Sequence, residues 1–275
     1  MSEKGYSVIP VGEPANGRFY QSYCAEWLTW LVSNNPEATN YGPVYFLHCL
    51  NYQGEQDTNN YANQPVIRIG SQALNIRPGE FIFFPVITSF AEPVDSGVQD
   101  DPTSLLNYVR TYMEAGDKPL HKSQATIIDA TDSSNPGLAE PIVDNLASHQ
   151  VITDVFPLYV PPAQPGARLL RTSIDVPITT EGVRNARIGG WFLLIQFYVP
   201  DRKYYIHTFA RGRGQYLAGM FHEINVVGSV PEYMMAPKKP QVDWSASIIK
   251  NALKAKKDIG EIDNERFNRL SAILK

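Results

Sequence analysis

Cysteine is scarce in this chain, with only Cys24 and Cys49 among its 275 residues. Two cysteines cannot form the disulfide framework of a small secreted domain. Each lies among apolar neighbours, which favours buried, reduced thiols. A disulfide bridge between them is possible only if the first predicted helix packs on the first predicted strand.

Long apolar runs are also absent. The longest, from Trp191 to Val199, contains Gln196 and is shorter than the ~18 residues that a membrane-spanning helix requires. The first ten residues, MSEKGYSVIP, lack the apolar core of a signal peptide. The sequence therefore predicts no membrane partner and an intracellular or virion location.

Positive charge is in deficit over most of the chain, whose net charge is −4. Residues 1–236 hold 15 Lys and Arg against 23 Asp and Glu, whereas residues 237–275 hold nine against five. An acidic body binds phosphate backbones poorly, so we expect no nucleic-acid partner.

Established catalytic and nucleotide-binding motifs are missing as well. The sequence has no Gly-x-Ser-x-Gly elbow, no His-Glu-x-x-His pair and no Walker-type loop. Gly212-x-Gly214 lies between two predicted strands, which indicates a hairpin turn. The sequence therefore identifies no catalytic residue and predicts no cofactor.

The five histidines do not predict a metal site. A hairpin turn centred near Arg213 places His207 and His222 about four positions apart along their strands, about 13 Å at ~3.3 Å per residue. That separation is too large for one zinc ion, whose bonds to imidazole are about 2 Å long. A cross-strand hydrogen bond from His207 to Gln196 is the simpler expectation. The remaining three, His48, His121 and His149, have no ligand-type residue at metal-binding spacing.

Hydrophobic periodicity predicts a first helix over residues 18–33. The apolar run at residues 43–50 predicts one strand buried on both faces. Residues 76–80 predict a turn at Pro78 and Gly79, followed by a strand over residues 81–88. Pro85 indicates an edge or a bulge in that strand, because proline has no N–H for the ladder.

A second helix is predicted after Asp101, with Asp as cap and Pro102 at the first helical position. Three later segments, 190–199, 204–211 and 216–227, are joined by short turns and predict an antiparallel meander. Further strands are expected at residues 66–69, 124–129 and 150–160. We therefore expect a mainly β fold: an antiparallel β-sandwich, jelly-roll or immunoglobulin-like, with an N-terminal helix, one inserted helix and a C-terminal helical tail.

The predicted domains are a body over residues 1–228, a proline-rich linker over 229–243 and a two-helix tail over 244–275. The body begins with an extended arm, residues 1–16. The two tail helices have apolar faces that must be covered by this body, by a second copy or by a protein partner. The predicted partner-binding residues are those apolar side chains: Trp244, Ile248, Ile249, Leu253, Phe267, Leu270, Ile273 and Leu274.

Four carboxylates follow the strand that contains Pro85: Glu92, Asp95, Asp100 and Asp101. A pair of acids from such a loop could serve hydrolysis. Helix capping and solvated loop charge are the simpler interpretation.

Several motifs occur in the order of a microbial family without an assigned activity. They are Trp27–Leu31 (WLTWL), Gly42–Leu47 (GPVYFL), Ile76–Ile87, Gly189–Leu193, a turn at Pro200, Ile206-His207 and Phe221–Val227. The chain resembles this family in patches over residues 20–228, and the resemblance implies a β-rich body. Tyr45 stands where the family usually has Trp, the tail after Pro231 is an addition, and the export signal of many members is missing.

The leading functional hypothesis is a non-enzymatic structural or interaction protein. It would be a subunit of a larger assembly, such as a phage particle or shell, docking through its N-terminal arm and helical tail. The alternatives are a small-ligand or carbohydrate-binding module, with Tyr and Trp stacking on sugars, and a hydrolase using the loop carboxylates.

Overall fold

The computed structural model describes residues 4–32, 43–47, 50–52, 73–114, 123–162, 178, 180–211 and 217–229. The chain divides into two units, Met1–Val230 and Pro231–Lys275, and every element below belongs to the first. The predicted linker from residue 230 onward, both tail helices and the strand at 66–69 lie outside the described residues.

Twelve strands and two helices are present in this part of the chain. They are, in order, β1 (Tyr6–Val8), α1 (Tyr20–Leu31), β2 (Val44–Phe46), β3 (Leu50–Tyr52), β4 (Leu74–Ile76), β5 (Phe81–Ala91), α2 (Pro102–Glu114), β6 (Gln124–Asp129), β7 (Glu140–Pro141), β8 (Gln150–Ile152), β9 (Phe156–Val160), β10 (Gly182–Phe197), β11 (Arg202–Arg211) and β12 (Leu217–Val226). A short 3₁₀ helix, Leu146–His149, precedes β8.

The fold is mainly β, as predicted, and its strands form two mixed sheets. Sheet 1 has the order β1-β10-β5-β2, with β8 and β9 also on β10, and sheet 2 has the order β3-β12-β11-β6-β7, with β4 on β12. The expectation of purely antiparallel pairing is wrong, because β2 pairs parallel with β5 and β4 pairs parallel with β12. The chain visits the other sheet between each of these partners, so it returns in the same direction rather than through a hairpin.

The single strand predicted over residues 43–50 is in fact two strands in different sheets. β2 lies in sheet 1 beside β5, and β3 lies in sheet 2 beside β12. Phe46 is buried in the cluster under α1, whereas Leu47 is buried between the sheets. The neighbouring residues Phe46 and Leu47 face two different cores, so the run reads as apolar without a break there, and periodicity cannot reveal the crossing.

The predicted three-stranded meander is also wrong. Only β11 and β12 form a hairpin. β10 is bordered by β5 on one side and by β9, β8 and β1 in succession on the other, so it has no edge left for β11. The short link after β10 therefore crosses to sheet 2, with Asp201 at a positive φ of 58°. The turn predicted at residues 212–214 lies outside the described residues.

Three apolar clusters cover the two faces of sheet 1. Helix α1 packs Tyr20, Tyr23 and Trp27 against Phe83 and Phe192 on one face. On the opposite face, side chains of β5 and β10 share a cluster with β6, β11 and β12 of sheet 2. Further along that same face, α2 packs Leu105, Val109 and Met113 over Trp191. Sheet 1 therefore lies at the centre of the described part of the first unit.

Three local predictions are confirmed. The register of β5 against β10 shifts so that Trp191 faces Ile87 and Phe192 faces Pro85, which is the expected bulge. Gly79 has a φ of 93° in the predicted turn. Asp101 Oδ1 accepts hydrogen bonds from the N–H groups of Thr103 and Ser104, as a helix cap does.

Within the predicted extended arm, residues 6–8 are extended as β1, whereas residues 11–13 form a turn. This strand belongs to the chain's own sheet, because β1 pairs with residues 195–197 of β10. Asn16 and Gly17 both have positive φ in a tight turn that bridges Ala15 and Arg18, the geometry that Asn-Gly pairs favour.

Helices α1 and α2 are too short to cross a membrane. No helix in the described part of the chain is long and apolar enough to do so.

Candidate functional site

An open cleft of about 380 Å³ lies where an edge strand of each sheet comes close to the other. Its first wall comes from the N-terminal segment around β1 and its second from the chain after β7. The lining residues are Lys4, Val8, Pro10, Pro141, Ile142, Val143, Asp144, Asn145, Ser148 and His149. The volume is in the range of small-molecule sites.

The 3₁₀ helix fixes the polar end of the cleft. Asn145 begins it by accepting a hydrogen bond from the Ala147 N–H on its side-chain oxygen. The Ser148 hydroxyl donates to the Asn145 carbonyl at 2.8 Å, and His149 Nδ1 lies 3.1 Å from the Ser148 oxygen. His149 is buried, and this burial lowers the pKa of its imidazole.

This serine–histidine pair is not arranged as a nucleophile and its base. A base must be positioned to accept the hydroxyl proton. The Ser148 proton instead points to the Asn145 carbonyl, so His149 Nδ1 must carry the proton in its contact with Ser148. The pair supplies hydrogen-bonding capacity to the cleft rather than an activated hydroxyl.

The cleft is lined by charged side chains of both signs, Lys4 and Asp144. Lys4 Nζ lies 3.4 Å from a carboxylate oxygen of Glu140, with both side chains largely exposed. Asp144 is exposed and makes no ion pair with any residue that the structure describes. The cleft therefore presents one carboxylate that is not balanced by a neighbouring cation.

Tyr6 lies on the same side of β1 as Val8, because side chains alternate along a strand. Val8 lines the cleft, whereas Tyr6 is buried in the cluster between the two sheets. The ring packs against Phe197 and Tyr204, but the buried hydroxyl has no hydrogen-bond partner among the described residues. Burial, with a smaller contribution from the charge of Glu140, raises the pKa of Tyr6 to about 12.

Tyrosine hydroxyls occupy part of the exposed edge of β1. Tyr198 donates to the carbonyl of Tyr6, and Tyr204 donates to the carbonyl of Lys4, each at 3.2 Å. An added strand would require those carbonyls as acceptors. The edge is thus partly protected against strand addition.

The loop carboxylates have structural partners. Glu92 is fully buried and accepts the backbone N–H groups of Val94, Asp95 and Ser96. The Arg184 guanidinium lies between Glu92 at 3.2 Å and Asp95 at 2.8 Å. The expectation of a solvated charge is therefore wrong for Glu92.

The other two acids of this loop are engaged as well. Asp101 caps α2, and Asp100 accepts a hydrogen bond from the side chain of Asn185. None of the four predicted acids lines the cleft described above.

The histidine expectations are corrected by the strand register. His207 lies opposite Phe221, and His222 lies opposite Ile206, so the two imidazoles project from opposite faces of sheet 2. The predicted bond to Gln196 is wrong, because Gln196 lies in sheet 1 and donates to the carbonyl of Gly79. Over the described part of the chain, no three His, Cys, Asp or Glu side chains cluster as a metal site.

Cys24 is buried and free, as predicted, whereas Cys49, His48 and His121 lie outside the described residues. The tryptophans that the structure describes, Trp27, Trp30 and Trp191, are all buried in apolar clusters. They are therefore not available for stacking on a sugar.

The predicted partner-binding residues of the tail all lie outside the described residues. The cleft, in contrast, was not predicted from the sequence. The only signal for it was the group of polar residues Asp144, Asn145, Ser148 and His149. His149 was set aside because no ligand-type residue lies at metal-binding spacing from it. Its pairing with the N-terminal segment depends on contacts more than 130 residues apart in sequence.

No family model, no curated protein and no solved structure matches this chain. The resemblance to a microbial family therefore remains a prediction, and any functional conclusion must come from the residues themselves.

Proposed function

We propose that this chain is a non-enzymatic interaction protein that joins a larger assembly through its C-terminal tail. The observation that carries the proposal is the division of the chain at residue 230, beside a proline-rich segment and ahead of two amphipathic helical patterns. Exposing the apolar faces that hold Ile249 and Leu270 to water is unfavourable in free energy. A partner surface that buries these faces would remove that cost.

The body would serve as the rigid part of such a subunit. The apolar cluster shared by both sheets supports a sandwich of the jelly-roll or immunoglobulin-like kind. β1 is already paired with β10, so we assign docking to the tail rather than to the N-terminal arm. A phage particle or shell remains the proposed setting.

Light scattering coupled to size-exclusion chromatography tests this proposal on the full chain. We expect the wild type to form a homo-oligomer or to co-purify with a protein partner. The double variant Ile249→Asp, Leu270→Asp should elute as a monomer without partner. The matched control, Ser247→Asp with Asn268→Asp, changes the opposite faces of the same predicted helices and should leave the assembly intact. A wild type that is monomeric and alone at every concentration would refute the proposal.

The small-ligand alternative is supported by the cleft between the N-terminal segment and residues 141–149. Its lining combines aliphatic walls with amide, hydroxyl, imidazole and carboxylate groups, as ligand sites do. The carbohydrate-binding version is not supported by the described tryptophans, because they are buried in the core. The hydrolase alternative gains no support from the loop acids, because Asp101 caps a helix and Glu92 is paired with Arg184.

A further inference from the structure

Two side chains of the cleft, Asp144 and His149, supply hydrogen-bond acceptors. Because the Ser148 hydroxyl donates to the Asn145 carbonyl, the proton in the Ser148–His149 contact resides on His149 Nδ1. The other ring nitrogen, Nε2, is then an acceptor. The carboxylate of Asp144 adds two further acceptor oxygens to the same lining.

The charge of the cleft points in the same direction. Among the described lining residues Lys4 is the only cation, and its Nζ lies 3.4 Å from a carboxylate oxygen of Glu140. Asp144 has no ion-pair partner in the described part of the chain, so a negative charge remains. A cleft lined by an uncompensated carboxylate and an imidazole acceptor favours a cationic donor.

The walls between these polar groups are aliphatic. Val8, Ile142 and Val143 line the cleft together with the rings of Pro10 and Pro141. Such walls suit a flexible methylene chain, because transferring its CH₂ groups out of water is favourable.

We propose that the cleft binds a small alkylammonium compound, with its ammonium group at Asp144 and His149 and its methylene chain along the aliphatic walls. This inference rests on the small-ligand alternative and names its ligand class. It concerns a free small molecule, because the hydroxyls of Tyr198 and Tyr204 already occupy carbonyls that a bound peptide strand would use.

Isothermal titration of the full chain with three probes of equal chain length tests the ligand class. The probes are 1,4-diaminobutane, 1,4-butanediol and succinate. We expect saturable 1:1 binding of the diamine and at least about tenfold weaker binding of the diol and the diacid, because only the diamine supplies a charged donor. Equal or tighter binding of either other probe would overturn the alkylammonium assignment but would retain a ligand-binding cleft. No binding of any probe would overturn both.

A pair of charge-removing variants tests the position of the ammonium group. Asp144→Asn should weaken diamine binding at least about fivefold, since it keeps the shape of the side chain and removes its charge. Asp154→Asn is the matched control, because the Asp154 side chain is 94% exposed and lies outside the cleft. Equal affinity in the two variants would show that the diamine responds only to the overall acidity of the protein, and it would overturn the proposal.

Discussion

At the scale of single residues, Arg184 is a buried charge held by three partners. Its side chain is 2% exposed, donates to Glu92 and Asp95, and donates a third hydrogen bond to the Thr180 carbonyl. The cluster ties the loop after β5 to the start of β10. Its Nε has no partner among the described residues, so desolvation of the guanidinium is only partly offset.

We expect Arg184→Met to lower the free energy of unfolding by about 3 kcal/mol, because it leaves Glu92 as a buried charge without its cation. Urea denaturation monitored by tryptophan fluorescence measures the change. Arg110→Met on the exposed side of α2 is the matched control and should stay within ~0.5 kcal/mol of the wild type. Similar losses in both variants would contradict this account of the buried cluster.

The Tyr20 hydroxyl replaces a direct ladder bond between β1 and β10. It accepts the N–H of Leu194 at 3.0 Å and donates to the carbonyl of Ile9 at 2.6 Å. Tyr20→Phe should destabilise the fold by about 1–3 kcal/mol, since it leaves two backbone groups without their partner. Tyr198→Phe removes a hydroxyl from a more exposed ring, where water can replace it. Thermal denaturation should therefore show the larger loss for Tyr20→Phe, and the reverse order would count against the relay.

At the scale of elements, the contact between β5 and β10 depends on a glycine. A Cβ on Gly190 would lie 2.3 Å from the carbonyl oxygen of Ile87 and 2.8 Å from the Cα of Thr88. Both atoms belong to backbone next to the bulge and cannot rotate away. Gly190→Ala should therefore cost about 1–3 kcal/mol of stability by overpacking.

The control for Gly190→Ala is Gly12→Ala, because a Cβ at Gly12 meets nothing within 4 Å. Chemical denaturation of the two variants gives the comparison. If Gly190→Ala were as stable as Gly12→Ala, the close approach of the two strands would not hold in solution.

Element boundaries were predictable wherever a local signal exists. Apolar spacing gave α1, Asp101-Pro102 gave the start of α2, and Pro85 gave the bulge, because each depends on neighbours in sequence. Strand partners were not predictable. The run at residues 43–50 and the link after β10 look like one strand and one hairpin turn, and only the occupied edges of β10 exclude the second interpretation.

At the scale of the whole molecule, stability should fall as the medium becomes mildly acidic. Burial lowers the pKa of His149 and of His207 in the folded state. The unfolded chain therefore binds protons first as the pH drops through the ordinary histidine range near ~6.5, which lowers the free energy of unfolding. Urea denaturation between pH 7.5 and 5.5 should show this loss, and His207→Gln should make it smaller. An unchanged pH dependence in His207→Gln would contradict the assignment.

The sequence alone determined a mainly β body, its two helices, the buried state of Cys24 and the local caps and bulge, because these follow from composition and short-range patterns. It could not determine that β10 lies between β5 and β1 or that residues 4–10 meet residues 141–149, because such pairings are selected by the packing of distant segments around a shared core. The Glu92–Arg184–Asp95 cluster and the cleft exist only through those long-range contacts. For that reason, the candidate site was decided by the tertiary structure.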